Sequence, residues 1–259
     1  MKQTTRTILG SALLVLILLA ALAPLDGTTS SGHDFSRAVA GSGGNQLLVL
    51  SEAEEQPLRF DGSSSDAPSY SIRAARYATV PKFPLEGLVM GAPKDQQIDI
   101  AMVFWVIQGG GHTILFDSGF HREKWFKDFH IVDYVAPDKL VEQMGIAPAS
   151  VTDVIISHAH WDHMGGIDLF PNATIWIQQR EFEYYTGAAW QSGGHNGGID
   201  PEDVLELVRR NTQGKLRLVD GDDVELLPGI RAYTGARHTF ASQYIRVAGD
   251  PPYVLASDN

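Results

Sequence analysis

The sequence predicts a mixed α/β fold, on three observations. Val154-Ile155-Ile156 is a short β-branched run that reads as a buried strand. Ile98 to Ile107 and His112 to Phe116 are apolar runs on either side of Gly109-Gly110-Gly111, the pattern of a hairpin. Asp200-Pro201-Glu202-Asp203 supplies an N-cap residue, a first-turn proline and acids favoured by the helix dipole, and so opens a helix. With 259 residues and a hydrophobic fraction of 44%, the chain can bury a sizeable core.

Taken in order, the chain begins with Lys2 and Arg6 ahead of an apolar stretch from Ile8 to Leu22, and Ala21-Leu22-Ala23 stands just before Pro24. A charged head, an apolar middle and a small-residue exit make a secretory signal over residues 1–23, which implies export to the periplasm or beyond the cell. The rival reading is an uncleaved membrane anchor, but the run is shorter than the ~20 residues a span needs. Residues 24–68 are rich in Gly, Ser and Asp and read as a flexible linker. A single domain, 69–259, is then expected.

That domain opens at Tyr70-Ser71-Ile72-Arg73. Before the hairpin, Pro81 to Gly91 reads as an irregular loop, whose Phe83, Leu85 and Met90 either wall a substrate pocket or cap the core. Trp125, Phe126 and Phe129 recur at helical spacing, as do Leu140, Val141 and Met144 between Pro137 and Gly145; both sets read as core. Ala173 to Ile177 is a strand, Arg180 to Tyr185 a short helix, and the helix begun at Asp200 runs to about Asn211 and Gly214. His195, in a glycine-rich loop, reads as a surface histidine. Val224 to Tyr233 forms two strands around Pro228-Gly229, and Tyr253-Val254-Leu255 is a last buried strand before Asp258-Asn259.

Charge and composition narrow the chemistry. A net charge of -11 leaves no basic stripe to neutralise phosphates, which argues against nucleic acid and for small neutral or weakly charged substrates. The chain has no cysteine, so it can form neither a disulfide nor a thiolate metal site. The dominant feature is Ser157-His158-Ala159-His160-Trp161-Asp162-His163-Met164-Gly165-Gly166, directly after the Val154 strand. Alternate residues of an extended segment point the same way, so His158 and His160 can face one ion, while the turn beyond swings Asp162 and His163 towards another. Imidazole and carboxylate without thiolate suit borderline ions such as zinc in a catalytic site. The bland reading, solvated loop histidines around a buried aspartate, does not account for four such side chains within six positions.

The pattern His158-x-His160-x-Asp162-His163 resembles the signature of the metallo-β-lactamase superfamily. The resemblance implies an αββα sandwich, two sheets between helices, and a hydrolase that uses two divalent ions, with Zn2+ expected. It implies that His158, His160 and His238 hold one ion and Asp162 and His163 the other, with Asp258 between them. Asp117, at the end of the His112 strand, would accept an imidazole N–H in support of the ligands; the alternative is a carboxylate that closes a turn. His238 follows Ala236-Arg237, where the family usually has Pro-Gly or Gly-Gly. Family members continue past the bridging aspartate to a final histidine, so the domain is expected to be incomplete in its C-terminal half, or its second ion weakly held.

The resemblance runs from about Tyr70 to Asn259. It is to the N-acyl homoserine lactonase group in particular, through Phe83-Pro84-Leu85, Ile114 to His121, the signature with its Gly165-Gly166 tail, and Leu255 to Asn259. The implied reaction is quorum-quenching: the ester ring of an N-acyl homoserine lactone opens under attack by a metal-bound hydroxide, with Asp162 taking the proton. Three alternatives remain. The chain could hydrolyse a thioester, β-lactam or phosphoester with the same ligands, or be an inactive fragment that holds metal poorly. A zinc-stabilised binding module is disfavoured, because the ligands lie at strand ends without a thiolate shell.

Overall fold

The structure, a computed structural model, describes residues 68–259. The expected signal, linker and export lie on residues outside that range. Among the described residues no helix is long and apolar enough to cross a membrane.

Two sheets carry the fold. The first has six strands in sequential order, and β1 (Tyr70–Pro84), β2 (Gln97–Gly109) and β3 (His112–Phe116) are antiparallel neighbours. β4 (Asp153–Ile155), β5 (Thr174–Gln178) and β6 (Leu216–Val219) then continue parallel to β3. The hairpin turns on Gly110 and Gly111, whose φ of 58° and 83° are left-handed values that glycine adopts without a Cβ penalty. The second sheet is antiparallel, in the order β10 (Tyr253–Leu255), β9 (Gln243–Val247), β8 (Ile230–Thr234), β7 (Val224–Leu227).

The structure corrects one expectation. Pro81 to Pro84 is strand and not loop, because β1 stays paired with β2 as far as Pro84↔Gln97, across a register shift between Val80 and Phe83. β1 is an edge strand, where a proline costs no ladder bond on its open side. The irregular part is shorter: a 3-10 turn at Leu85–Gly87 and the residues up to Gln96.

Alternation explains how the larger sheet divides the interior. Val106, Leu115, Val154 and Ile156 belong to one core, while Ile107, Ile114, Phe116 and Ile155 belong to another on the opposite face. Helices contribute to the first core: Leu140 and Val141 from α2 (Pro137–Gln143), Trp161 and Met164 from α3 (Trp161–Met164), Tyr185 from α4 (Gln179–Tyr185), and Val204 and Leu207 from α5 (Pro201–Thr212). The second core is filled from the four-stranded sheet by Ile230, Ala232, Ile245, Val247 and Leu255. The layers are therefore helices, larger sheet, smaller sheet. A sheet buried on both faces explains why β2 to β5 read as nearly continuous apolar runs. α5 opens as expected, with the Asp200 carboxylate accepting from the Glu202 N–H at 3.0 Å.

Candidate metal centre

The parallel strands deliver their chemistry at their C-terminal ends, the usual place for a ligand site in such sheets. Asp117 follows β3 in a left-handed conformation (φ 66°) that aspartate tolerates better than most residues. Its Oδ1 accepts the Ser157 N–H at 2.8 Å, and its Oδ2 accepts from Ser157 Oγ at 2.9 Å, His163 Nδ1 at 2.8 Å and Ser257 Oγ at 3.0 Å. One buried carboxylate thus joins the ends of β3 and β4, helix α3 and the residues after β10.

His158 and His160 lie on extended chain past β4, and His160 caps α3 with ψ 149°. The helical turn that begins at Trp161 then aims Asp162 and His163 in a new direction. Gly165 and Gly166 are needed to close this turn: a Cβ on Gly165 would stand 2.3 Å from the Trp161 carbonyl oxygen, and one on Gly166 would stand 2.2 Å from that of Ser118. His238 arrives in the loop after β8, and Asp258 three residues past β10.

Five of the six expected ligands come together in two groups, and the sixth, Asp162, lies beside His163. His238 Nε2 lies 3.1 Å from His160 Nδ1 and 3.2 Å from Asp258 Oδ2. Asp258 Oδ2 is also 3.6 Å from His163 Nε2 and 3.9 Å from His158 Nε2, and Asp162 Oδ2 is 3.4 Å from His163 Nε2. Two groups have ligand atoms close enough together to share an ion: His158, His160, His238 and His158, His163, Asp258. The donor chemistry fits a cation. His158 Nε2, His163 Nε2, Asp162 Oδ1 and both Asp258 oxygens are buried without a hydrogen-bond partner, a cost that coordination would remove.

The electrostatics agree with a cationic occupant. Burial, reinforced by the neighbouring imidazoles, holds His158 well below the usual histidine range and pushes His160 down to about 2, so both stay neutral and free to ligate. Burial acts the same way on His163, but Asp162, Asp258 and Asp117 overcome it and hold that ring well above the range. Burial works to raise the Asp258 carboxyl, and His163 and His238 overcome it and keep it below the carboxylate range. Three carboxylates around one imidazole demand positive charge, and a proton or a divalent cation meets that demand.

Beside Asp162 opens a small cleft walled by six apolar side chains, Val80, Phe83, Ile100, Met102, Phe129 and Trp161. Of the three residues expected at a pocket, Phe83 lines this cleft. Leu85 instead packs, half-buried, against the helix-side core, and Met90 is fully exposed. Trp161 stacks on Trp125 at 4.6 Å, so α1 (Lys124–Phe129), expected to supply only core, also walls the cleft. His195 is exposed, as expected of a surface histidine.

Two residues that shape this site were not singled out from sequence. The Tyr77 hydroxyl donates to the Asp162 carbonyl at 2.8 Å. Glu181, fully buried on α4, accepts backbone N–H groups from two of the ligand-bearing loops. Nothing local marks either one, because their partners lie 22 to 85 residues away.

Comparison with known proteins points the same way. The N-acyl homoserine lactonase AttM of Azorhizobium caulinodans is 50% identical over 54 residues, 21% of this chain and 20% of that protein. The N-acyl homoserine lactonase AiiB of Agrobacterium fabrum is 25% identical over 231 residues, 83% of this chain and 77% of that one. Among solved structures, AidC, a dizinc quorum-quenching lactonase in complex with a product, superposes with a TM-score of 0.54 at 18% identity, covering 71% of this chain and 69% of that one. The family model for the metallo-beta-lactamase superfamily matches residues 103–244, more than half of the chain and nearly the whole span from β2 to β9. With the ligand signature at the strand ends and the paired sheets beneath it, the chain belongs to the metallo-beta-lactamase superfamily.

Proposed function

We propose that this superfamily hydrolase opens the ester ring of N-acyl homoserine lactones at a centre of two divalent ions, with Zn2+ as the expected metal. One observation carries the reading: an apolar cleft abuts Asp162 at the edge of a buried cluster of four imidazoles and two carboxylates. The lactonase relatives support the same substrate class.

In this reading His158, His160 and His238 would hold one ion and Asp162 and His163 the other, with Asp258 available to both. When bound, the ions supply Lewis-acid polarisation of the ester carbonyl and bring the pKa of water down to about 7. The chain's residues do the rest. Asp117 accepts the Nδ1 proton of His163 and so leaves Nε2 facing the cluster. Tyr77 anchors the Asp162 main chain, while that residue's buried Oδ1, without a partner, is placed to take the proton of the attacking hydroxyl and pass it to the ring oxygen as the C–O bond breaks. The apolar wall of the cleft offers the acyl chain a contact beside Asp162, each CH₂ it removes from water contributing about 0.8 kcal/mol.

A thioester, β-lactam or phosphoester could meet the same ligands, so the test is a panel. Full-length protein loaded with zinc is assayed on an N-acyl homoserine lactone, a thioester, a β-lactam and a phosphotriester, with acid release followed by a pH indicator. The lactone should give the highest kcat/KM, rising with acyl length until the cleft is filled. Turnover of the thioester alone would end the lactonase reading.

A further inference from the structure

Glu181 is a fully buried carboxylate on α4 that lies outside the ligand set. Its Oε1 accepts the N–H of Ala159, the residue between His158 and His160, at 2.9 Å. Its Oε2 accepts the N–H of Ala241, three residues past His238, at 2.6 Å. Burying a carboxylate against neutral donors is expensive, so the arrangement calls for a reason. The reason lies in the acceptor inventory: a carboxylate offers acceptors on both oxygens, whereas the amide of glutamine offers one and turns an NH₂ against the second N–H.

We propose that Glu181 is a positioning residue that holds the His158/His160 loop and the His238 loop at the mutual distance a shared ion requires. His160 Nδ1 and His238 Nε2 are 3.1 Å apart although they are 78 residues apart in sequence. The loops leave different sheets, one after β4 and the other after β8; Gln243 ties their bases together, its N–H donating to the Ser157 carbonyl at 2.8 Å and its Nε2 to that of Ile156 at 2.7 Å, and Glu181 ties them nearer the histidines. The Glu181 carboxylate spans the gap from the outside, as Asp117 does for His163 on the opposite flank. This inference rests on the metal-centre reading above.

The test is titration of the full-length apo protein with Co²⁺, read by visible d–d absorption, for wild type, Glu181→Gln and Glu206→Gln. Glu206 is a buried carboxylate paired with Arg210 at 2.7 Å and serves as a control for general destabilisation. The expected result is that Glu181→Gln weakens Co²⁺ binding about 10- to 100-fold and alters the band shape. Glu206→Gln should lower the apo melting temperature and leave the cobalt titration as in wild type. Unchanged affinity and spectrum in Glu181→Gln would overturn the inference alone. A wild-type chain that binds no cobalt would overturn the metal-centre reading and this inference with it. Should Glu181→Gln fail to fold, hydrogen exchange on the wild-type apo protein decides: the Ala159 and Ala241 amides should be protected without metal, and free exchange at both would sink the clamp.

Discussion

Strands β3 and β4 carry a histidine and an aspartate at each end, and the two ends could hardly differ more. At the N-terminal end His112 Nδ1 meets Asp153 Oδ2 at 2.8 Å, Thr152 Oγ1 donates to the same oxygen at 2.7 Å, and Trp176 Nε1 donates to Oδ1 at 2.9 Å. Every polar atom of that aspartate is satisfied inside the protein. At the C-terminal end, His158, His163, Asp162 and Asp258 keep five buried ligand atoms without partners. A saturated His–Asp pair holds strands together; an unsaturated cluster asks for an ion.

The largest expected effect breaks this contrast. His160→Ala and Asp258→Asn should each take bound zinc, measured by elemental analysis, from about two ions per chain to one or fewer and abolish hydrolysis, whereas Asp153→Asn should keep both. A chelator should lower the melting temperature of wild type, since at 100-fold excess over Kd a ligand of the native state contributes about 2.7 kcal/mol, and should lower that of His160→Ala by less. Next comes Asp117→Asn, which keeps the shape but loses charge and an acceptor; zinc affinity by competition with a chelating dye should fall about 10- to 100-fold. Asp153→Ala should do the reverse, costing roughly 1–3 kcal/mol in denaturant unfolding by stranding the Trp176 and Thr152 donors, with the zinc content of wild type.

Two smaller effects concern pH, away from the cluster. Burial, with help from Asp200, raises the Asp203 carboxyl to about 7 despite the Arg122 guanidinium beside it. The native state then keeps a proton that the unfolded chain has lost, so this group removes stability as pH rises from about 4 to about 7. Asp203→Asn should flatten the melting-temperature profile over that window. The hydrogen bond that His121 Nε2 donates to Asp168 raises the half-buried imidazole above its ordinary range against the pull of burial. That pair stabilises fully between about pH 4 and 6.5 and loses its contribution as pH rises through the raised His121 value or falls through the lowered Asp168 value. Asp168→Asn should remove the dependence, and because both side chains reach solvent the change should stay under about 1 kcal/mol.

Much of this was legible in the sequence because it is local. The β-branched run Val154-Ile155-Ile156, the glycines of the hairpin and the Asp200-Pro201 helix start need only near neighbours, and so does the spacing of His158, His160, Asp162 and His163. Pro81 to Pro84 misled because proline is read as a strand breaker, and only sheet order shows that β1 is an edge. Met90 misled because a side chain's name does not say which way a turn leads it.

What the sequence determined by itself was the kind of chemistry: imidazole and carboxylate without thiolate, in a spacing that extended chain followed by a turn splits between two directions. What only the tertiary structure decided was assembly: that His238 and Asp258 reach His160, that Glu181 joins two loops from different sheets, and that Phe129 and Trp161 wall the cleft at Asp162. The physical reason is that ligand identity and local periodicity are written in adjacent residues. Satisfied and unsatisfied hydrogen bonds between segments tens of residues apart come into existence only once the sheets have packed.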